Sequence, residues 1–207
     1  MRHYQVQIAR DHGFLTFPGF LDNHFIQENR KADIKYLRRM LRRYAIGSVI
    51  FAVAPDYQLK EMLKLKEEYP DVNWIFPLHS KDEDFSEFDW IGFPHRDTLR
   101  DYSLGWFLKA TKGKKRWYLG FWNESNPYIA KKFDGLDTVI PSYYSTRLGK
   151  IWYNWNECET VNKYVERREL FTHNVIVFKL RILQVLDSNI EVPQLHEFIE
   201  ERGETFG

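Results

Sequence analysis

This 207-residue sequence has one cysteine, three methionines and no long apolar run. Cys158 stands alone, so no disulfide can form within the chain and a four-cysteine zinc site is excluded. A reducing, cytoplasmic setting is expected. No stretch approaches the ~20 apolar residues of a membrane-spanning helix. The opening residues MRHYQVQIARDHG carry no apolar signal core, so no membrane partner is expected. Charge of one sign is also scarce. The formal net charge is +1, which rules out a global field drawing the protein to polyanions, and any nucleic-acid surface must be local. Neither a dinucleotide-type nor a P-loop glycine motif is present, nor a Gly-x-Ser-x-Gly elbow. The seven histidines show no metal-ligand spacing.

Aromatic residues, by contrast, are plentiful at 17%, enough to fill a large core or to offer a surface on which bases stack. Short apolar runs alternate with amphipathic stretches. YQVQIA (4–9), FLTF (14–17), SVIFAVAPD (48–56), NWIFPL (73–78), FDWIGFP (88–94), RWYLGFW (116–122) and LDTVIPS (136–142) read as strands. Helices are expected over 32–45, 57–69, 100–110 and 169–186, with a shorter one over 127–132. Continuous apolar strands alternating with helices predict a parallel sheet buried on both faces, in which carboxyl strand ends carry the site. Periodicity does not choose between an open sheet and a barrel. The length suits one domain over 1–207.

The informative polar residues are carboxylates near strand ends: Asp22, Asp56 and Asp137. A helix cap would by itself account for Asp56 in APDYQ, and an Asx turn for Asp22 in GFLDN. The basic runs RRMLRR (38–43) and KATKGKKR (109–116) could contact phosphates or simply face solvent.

From Lys115 onward the chain resembles the tRNA-guanine transglycosylases. The resemblance is carried by RWYLGFWNESNPYIAKKFDGLDTVIPSYYSTRLG (116–149). Asp134, Asp137, Val139, Pro141, Ser142, Arg147 and Gly149 fall in the order of that family's nucleophile block. Gly92 matches the first glycine of its base-contacting strand, and Phe93 stands at the second. His173 and Asn174 match its closing helix. SVIFAVAPD is similar to the strand whose aspartate recognises guanine, and FLDNHF (20–25) is the nearest equivalent of the acid/base segment. The family's zinc motif is absent and the chain is short, which is similar to the compact relatives acting on DNA.

The resemblance implies a compact or partly irregular TIM-type (β/α)8 barrel. It implies a pentosyltransferase that replaces guanine in tRNA or DNA with a free purine or 7-deazapurine, without cofactor or metal. In that reading Asp137 is the nucleophile at C1′ and Asp22 the acid/base. Asp56 accepts hydrogen bonds from the purine, Gly92 and Arg147 bind substrate, and Phe25 and Phe93 sandwich the base. Two other readings remain open at this point: a barrel-derived nucleic-acid-binding protein without chemistry, and an N-glycosidase or small-molecule base exchanger.

Overall fold

The computed structural model describes residues 5–8, 19–23, 31–43, 50–122, 126–155, 158–160 and 167–187. Their contacts divide into two compact units. One comprises Met1–Trp122 with Lys132–Val139, the other Asn123–Lys131 with Ile140–Gly207.

The first unit is α/β. Its strands are β1 (Gln5–Ile8), β2 (Phe20–Leu21), β3 (Phe51–Val53), β4 (Asn73–Pro77), β5 (Trp90–Pro94), β6 (Lys115–Phe121) and β7 (Gly135–Thr138). Helices α1 (Ile34–Arg43), α2 (Leu59–Glu68) and α3 (Leu104–Ala110) lie between them in sequence. All seven strands form one parallel sheet in the order β1-β7-β6-β5-β4-β3-β2. The apolar runs of β4 and β5 are buried on both faces, as a parallel sheet between layers requires.

The expected closed eight-stranded barrel is not formed. Among the described residues no ladder joins the edge strands β1 and β2, so the sheet is open. The physical reason lies in the supply of strands. The chain turns helical at Ile140–Ser142, where Pro141 suits a first helical turn and cannot continue a ladder. The next strand, β8 (Lys150–Trp152), pairs antiparallel with β9 (Cys158–Thr160) instead of joining the sheet.

The open sheet is nevertheless strongly curled. Phe20 on β2 and Trp117 on β6 are four strands apart, which in a flat sheet is ~19 Å at the usual strand spacing. Their rings stack in parallel at 5.7 Å. That contact requires the sheet to bend toward one face, and Phe20, Phe51, Val53, Ile75, Trp90 and Trp117 fill the resulting concavity. Residues of opposite parity point outward. Phe93 meets Phe107 of α3, Tyr102, Tyr118 and Phe133 on the convex side.

Two expected elements shift. The helix expected from residue 32 begins after Asp33, whose carboxylate accepts from the Tyr36 N–H at 2.8 Å. FLTF (14–17) lies outside the described residues, while the turn expected at GFLDN contains β2.

In the second unit, α4 (Ile140–Ser142) runs into a π-helix over Tyr143–Leu148, closed by Gly149 in the left-handed region. The hydroxyls of Ser145 and Thr146 bond back to the carbonyls of Pro141 and Ser142, at 2.7 and 2.6 Å. Such back-bonding competes with the backbone ladder. On α5 (Arg167–Leu186), the Asn174 amide accepts from the Trp152 N–H and donates to the Lys150 carbonyl, fastening β8 to the helix. Among the described residues no helix is long and apolar enough to cross a membrane.

Candidate active site at the strand ends

Strand alternation decides which carboxylates share a face. Gly135 of β7 lies opposite Trp117 of β6, so Asp137, two residues on, returns to the same concave face. The Trp117 indole N–H reaches it on the diagonal and donates to Oδ1 at 2.8 Å. On β2 the same parity applies. Phe20 stacks on Trp117, and Asp22 follows two residues later toward the carboxyl end. The curl that joins Phe20 to Trp117 thus carries Asp22 toward Asp137.

A β-bulge completes the Asp137 environment. Three steps along β6, from Tyr118 to Phe121, oppose two along β7, from Leu136 to Thr138. The extra residue lets Gly120 adopt φ 74°, which a side chain would strain, and turns its N–H to Asp137 Oδ2 at 3.2 Å.

Asp137 is 7% exposed. Burial, reinforced by the negative charge of Asp22, pushes its carboxyl up to about 7, while the Trp117 and Gly120 donors pull the other way. A buried carboxyl pushed up beside a second carboxylate is the arrangement from which acid/base and nucleophilic roles are built.

Asp56 is committed elsewhere. Asn23 donates to its Oδ2 at 2.5 Å and to the Ala54 carbonyl at 2.6 Å. Its Oδ1 meets His79 Nε2 in a buried ion pair, and His79 Nδ1 bonds the Leu99 carbonyl at 2.6 Å. Burial pulls the His79 ring's affinity for protons down. The hydrogen bond and charge of Asp56, the Leu99 carbonyl and Glu83 outweigh it, so the net direction is upward. With an acceptor at each ring nitrogen, the doubly protonated imidazolium satisfies both. This chain of contacts ties the ends of β2, β3 and β4 to the 3-10 turn at Asp97–Leu99.

Asp56 therefore does not cap a helix. α2 starts two residues later than expected, after Gln58, with no side-chain cap. Tyr57 takes the strained position between them. It has φ 56°, the only positive φ outside glycine among the described residues, at a cost of ~1–2 kcal/mol. Its ring stacks on His79 at 4.6 Å.

Gly92 faces the concavity, but Leu119 and Ile75 cover it; an added Cβ would lie 2.5 Å from Leu119 Cδ1. Phe93 lies on the convex face, 2% exposed, beneath the Arg100 guanidinium at 4.3 Å. It cannot sandwich a base on the face that holds Asp137, because successive strand residues point to opposite sides. Phe25 lies outside the described residues. Arg147 is exposed on the π-helix of the second unit.

Three contributors were not read from the sequence. Trp117 could have been found by noting that it alternates with Tyr118 onto the face of Asp137. His79 ends a strand in PLHS just as Asp56 ends one in APD, a parallel visible in hindsight. Asn23 carried no signal beyond its place beside Asp22. Among the described residues no cluster of three or more His, Cys, Asp or Glu side chains could hold a metal ion. The basic loop over 109–116 lies at the amino end of β6, opposite the carboxylates, and Arg116 within it is spent on Thr111 and the Leu108 carbonyl.

Fold and site together define an open, curled parallel α/β protein with two coupled carboxylates on its concave face. The chain is similar to ORF192, an uncharacterised protein of Acidianus two-tailed virus: 31% identical over 129 residues, 58% of this chain and 64% of that protein. The match thus spans somewhat less than two thirds of the viral protein's length. No family model and no solved structure matches the chain.

Proposed function

We propose that this chain is a glycosyl-transfer enzyme that exchanges guanine in nucleic acid for a 7-deazapurine, with Asp137 as nucleophile and Asp22 as acid/base. The observation that carries the reading is the coupling of Asp22 to a buried Asp137, whose carboxyl sits near 7 between two fixed donors. In the first step Asp137 forms a bond to C1′ as the C1′–N9 bond breaks. The electron pair goes to guanine, which takes from Asp22 the one proton that the two coupled carboxylates share, Asp137 being the ionised partner in the reactive state. In the second, the Asp22 carboxylate removes the ring N–H proton of the incoming base. That nitrogen attacks C1′, and Asp137 leaves as carboxylate. Trp117 and Gly120 hold the carboxylate in place through both steps. A single cysteine suits the cytoplasmic setting in which tRNA or genomic DNA is met.

In this reading Asp56 positions the strand ends and does not read the purine edge, because both its oxygens are bonded within the chain. That commitment, with the covering of Gly92, favours one second reading, a hydrolytic N-glycosidase in which water takes the place of the incoming base. The two share the first step. Incubation with tRNA or duplex DNA, without free base, followed by denaturing electrophoresis should reveal a protein–nucleic acid adduct. The adduct should be absent in Asp137→Asn. Discharge by 7-deazaguanine supports exchange; spontaneous discharge to an abasic site supports hydrolysis. No adduct with either polymer argues against both.

A further inference from the structure

We propose that the outer face of α1 is a docking surface for the sugar–phosphate backbone of duplex nucleic acid. The proposal deepens the glycosyl-transfer reading and rests on it for the choice of polyanion. It starts from the sign of the charges. From Ile34 to Pro55 the chain has no acidic residue, while α1 alone carries Lys35, Arg38, Arg39, Arg42 and Arg43. Helical periodicity then sorts them. Tyr36, Leu37, Met40 and Leu41 turn inward and are buried. The five cations fill the opposite arc, and Lys35, Arg39, Arg42 and Arg43 are exposed on it.

A face that merely meets water mixes signs, so that residues four apart attract. The neighbouring α2 does so: Glu61 pairs with Lys64, and Glu61 and Glu68 take Arg38 from α1. On α1 the pairs Lys35–Arg39, Arg38–Arg42 and Arg39–Arg43 are like-charged and repel. Among the described residues no ion pair takes up Lys35, Arg39, Arg42 or Arg43, and Arg42 adds only a through-space attraction to Glu68. Arg42 and Arg43 suit the last turn of a helix, but that does not account for Lys35 or Arg39, which stand earlier. Four of the five cations are arginines, whose planar fork engages phosphate oxygens two at a time; solubility alone is served as well by lysine.

The stripe is tied to the candidate site. The Asp33 N–H donates to the Asn23 carbonyl at 3.0 Å, so α1 begins beside Asp22 at the carboxyl end of β2. Its 10 residues run ~15 Å from that rim, a length that matches about four successive phosphates of one duplex strand. With a net charge of only +1, the whole protein does not draw a polyanion, and the attraction is local to this face.

Fluorescence anisotropy of the full-length protein with a labelled duplex DNA, across a range of salt concentrations, tests this directly. Binding by the wild type should weaken steeply with salt, because phosphate contacts release counterions. Arg39→Gln alone should flatten the slope of log affinity against log salt by about 1. Lys35→Gln, Arg39→Gln and Arg42→Gln together should flatten it by about 3 and lower affinity at least tenfold at ~0.1 M salt. Thermal unfolding of the triple variant should be unchanged or raised, because repelling neighbours are removed. Lys60→Gln, Lys109→Gln and Lys112→Gln together take the same charge from exposed positions elsewhere, and should change the slope by less than about 1. Asp137→Asn should bind as the wild type does. The surface is overturned if the wild type does not bind the duplex at low salt, if the α1 variants bind as the wild type does, or if the two triple variants lose equally. Capture of phosphatidylserine vesicles through α1, without capture of the duplex, would also overturn it. Stripe-dependent duplex binding by a protein that forms no adduct at Asp137 would leave the surface standing and defeat the transfer reading. Adduct formation with unchanged rate and salt dependence in the α1 triple variant would do the opposite.

Discussion

Replacing Asp137 by asparagine should remove one group's share of the pH dependence of stability, a share large enough to measure. In the folded protein the Asp137 carboxyl is raised from 3.8 to about 7. Ionising it in place therefore costs roughly 4 kcal/mol more than in the unfolded chain, at ~1.4 kcal/mol for each tenfold change. The sign follows from proton counting. Between about pH 4 and 7 the folded chain holds a proton that the unfolded chain has lost, so stability falls as pH rises and is flat above. From pH 5 to pH 9 this one group should remove about 3 kcal/mol. Asparagine has no such term. Its amide oxygen can still accept from Trp117, but its NH2 then faces the Gly120 N–H, donor to donor, at about 1–3 kcal/mol. The variant should thus be less stable than wild type at pH 5 and equal or more stable at pH 9. Urea unfolding of both proteins at the two pH values, at constant ionic strength, gives the difference of differences. A value near 3 kcal/mol is expected. Parallel stability profiles would refute a buried, proton-holding Asp137.

Three further substitutions test neighbouring parts of the account. Gly120→Ala should cost ~1–2 kcal/mol from its left-handed backbone, not from a clash, since His95 Cβ at 3.8 Å is the nearest atom; carboxyl-carbon NMR should show Asp137 titrating higher as its N–H donor is displaced. His79→Ala strands Asp56 in a buried position with only Asn23, and should destabilise by about 3–5 kcal/mol in thermal or urea unfolding; in the wild type the His79 ring should titrate above 6.5, its stabilisation fading as pH rises past that point. Phe93→Ala should lose about 3–5 kcal/mol from the convex core yet leave nucleotide affinity in calorimetry unchanged.

What could be read from the sequence depended on range. Strand and helix periodicity is local, and it located most elements, including the buried run WIGFP and the amphipathic stretch IKYLRRMLRR. Closure of the sheet is not local. It depends on whether the segment after β7 adds a strand, and Pro141 together with the antiparallel pairing of Lys150–Trp152 diverts it. The curl that carries Asp22 toward Asp137 is not local either, because it is produced by contacts such as Phe20 on Trp117, 97 positions apart in a 207-residue chain. Facing was misjudged where alternation was not applied: Phe93 follows Gly92, so the two cannot share a face. Asp56 shows a subtler limit. Its position at a strand end was legible, but its partner His79 lies on another strand, and only the folded chain reveals that the carboxylate is already satisfied.

The central claim is that Asp137, set against Asp22, performs chemistry at C1′. It is tested most directly by incubating the protein with isotopically labelled guanine and either tRNA or duplex DNA, and counting label retained in the polymer. The account predicts incorporation by the wild type into one of the two, and a loss of several orders of magnitude in Asp137→Asn. Equal incorporation by Asp137→Asn and wild type, or none into either polymer, would contradict it.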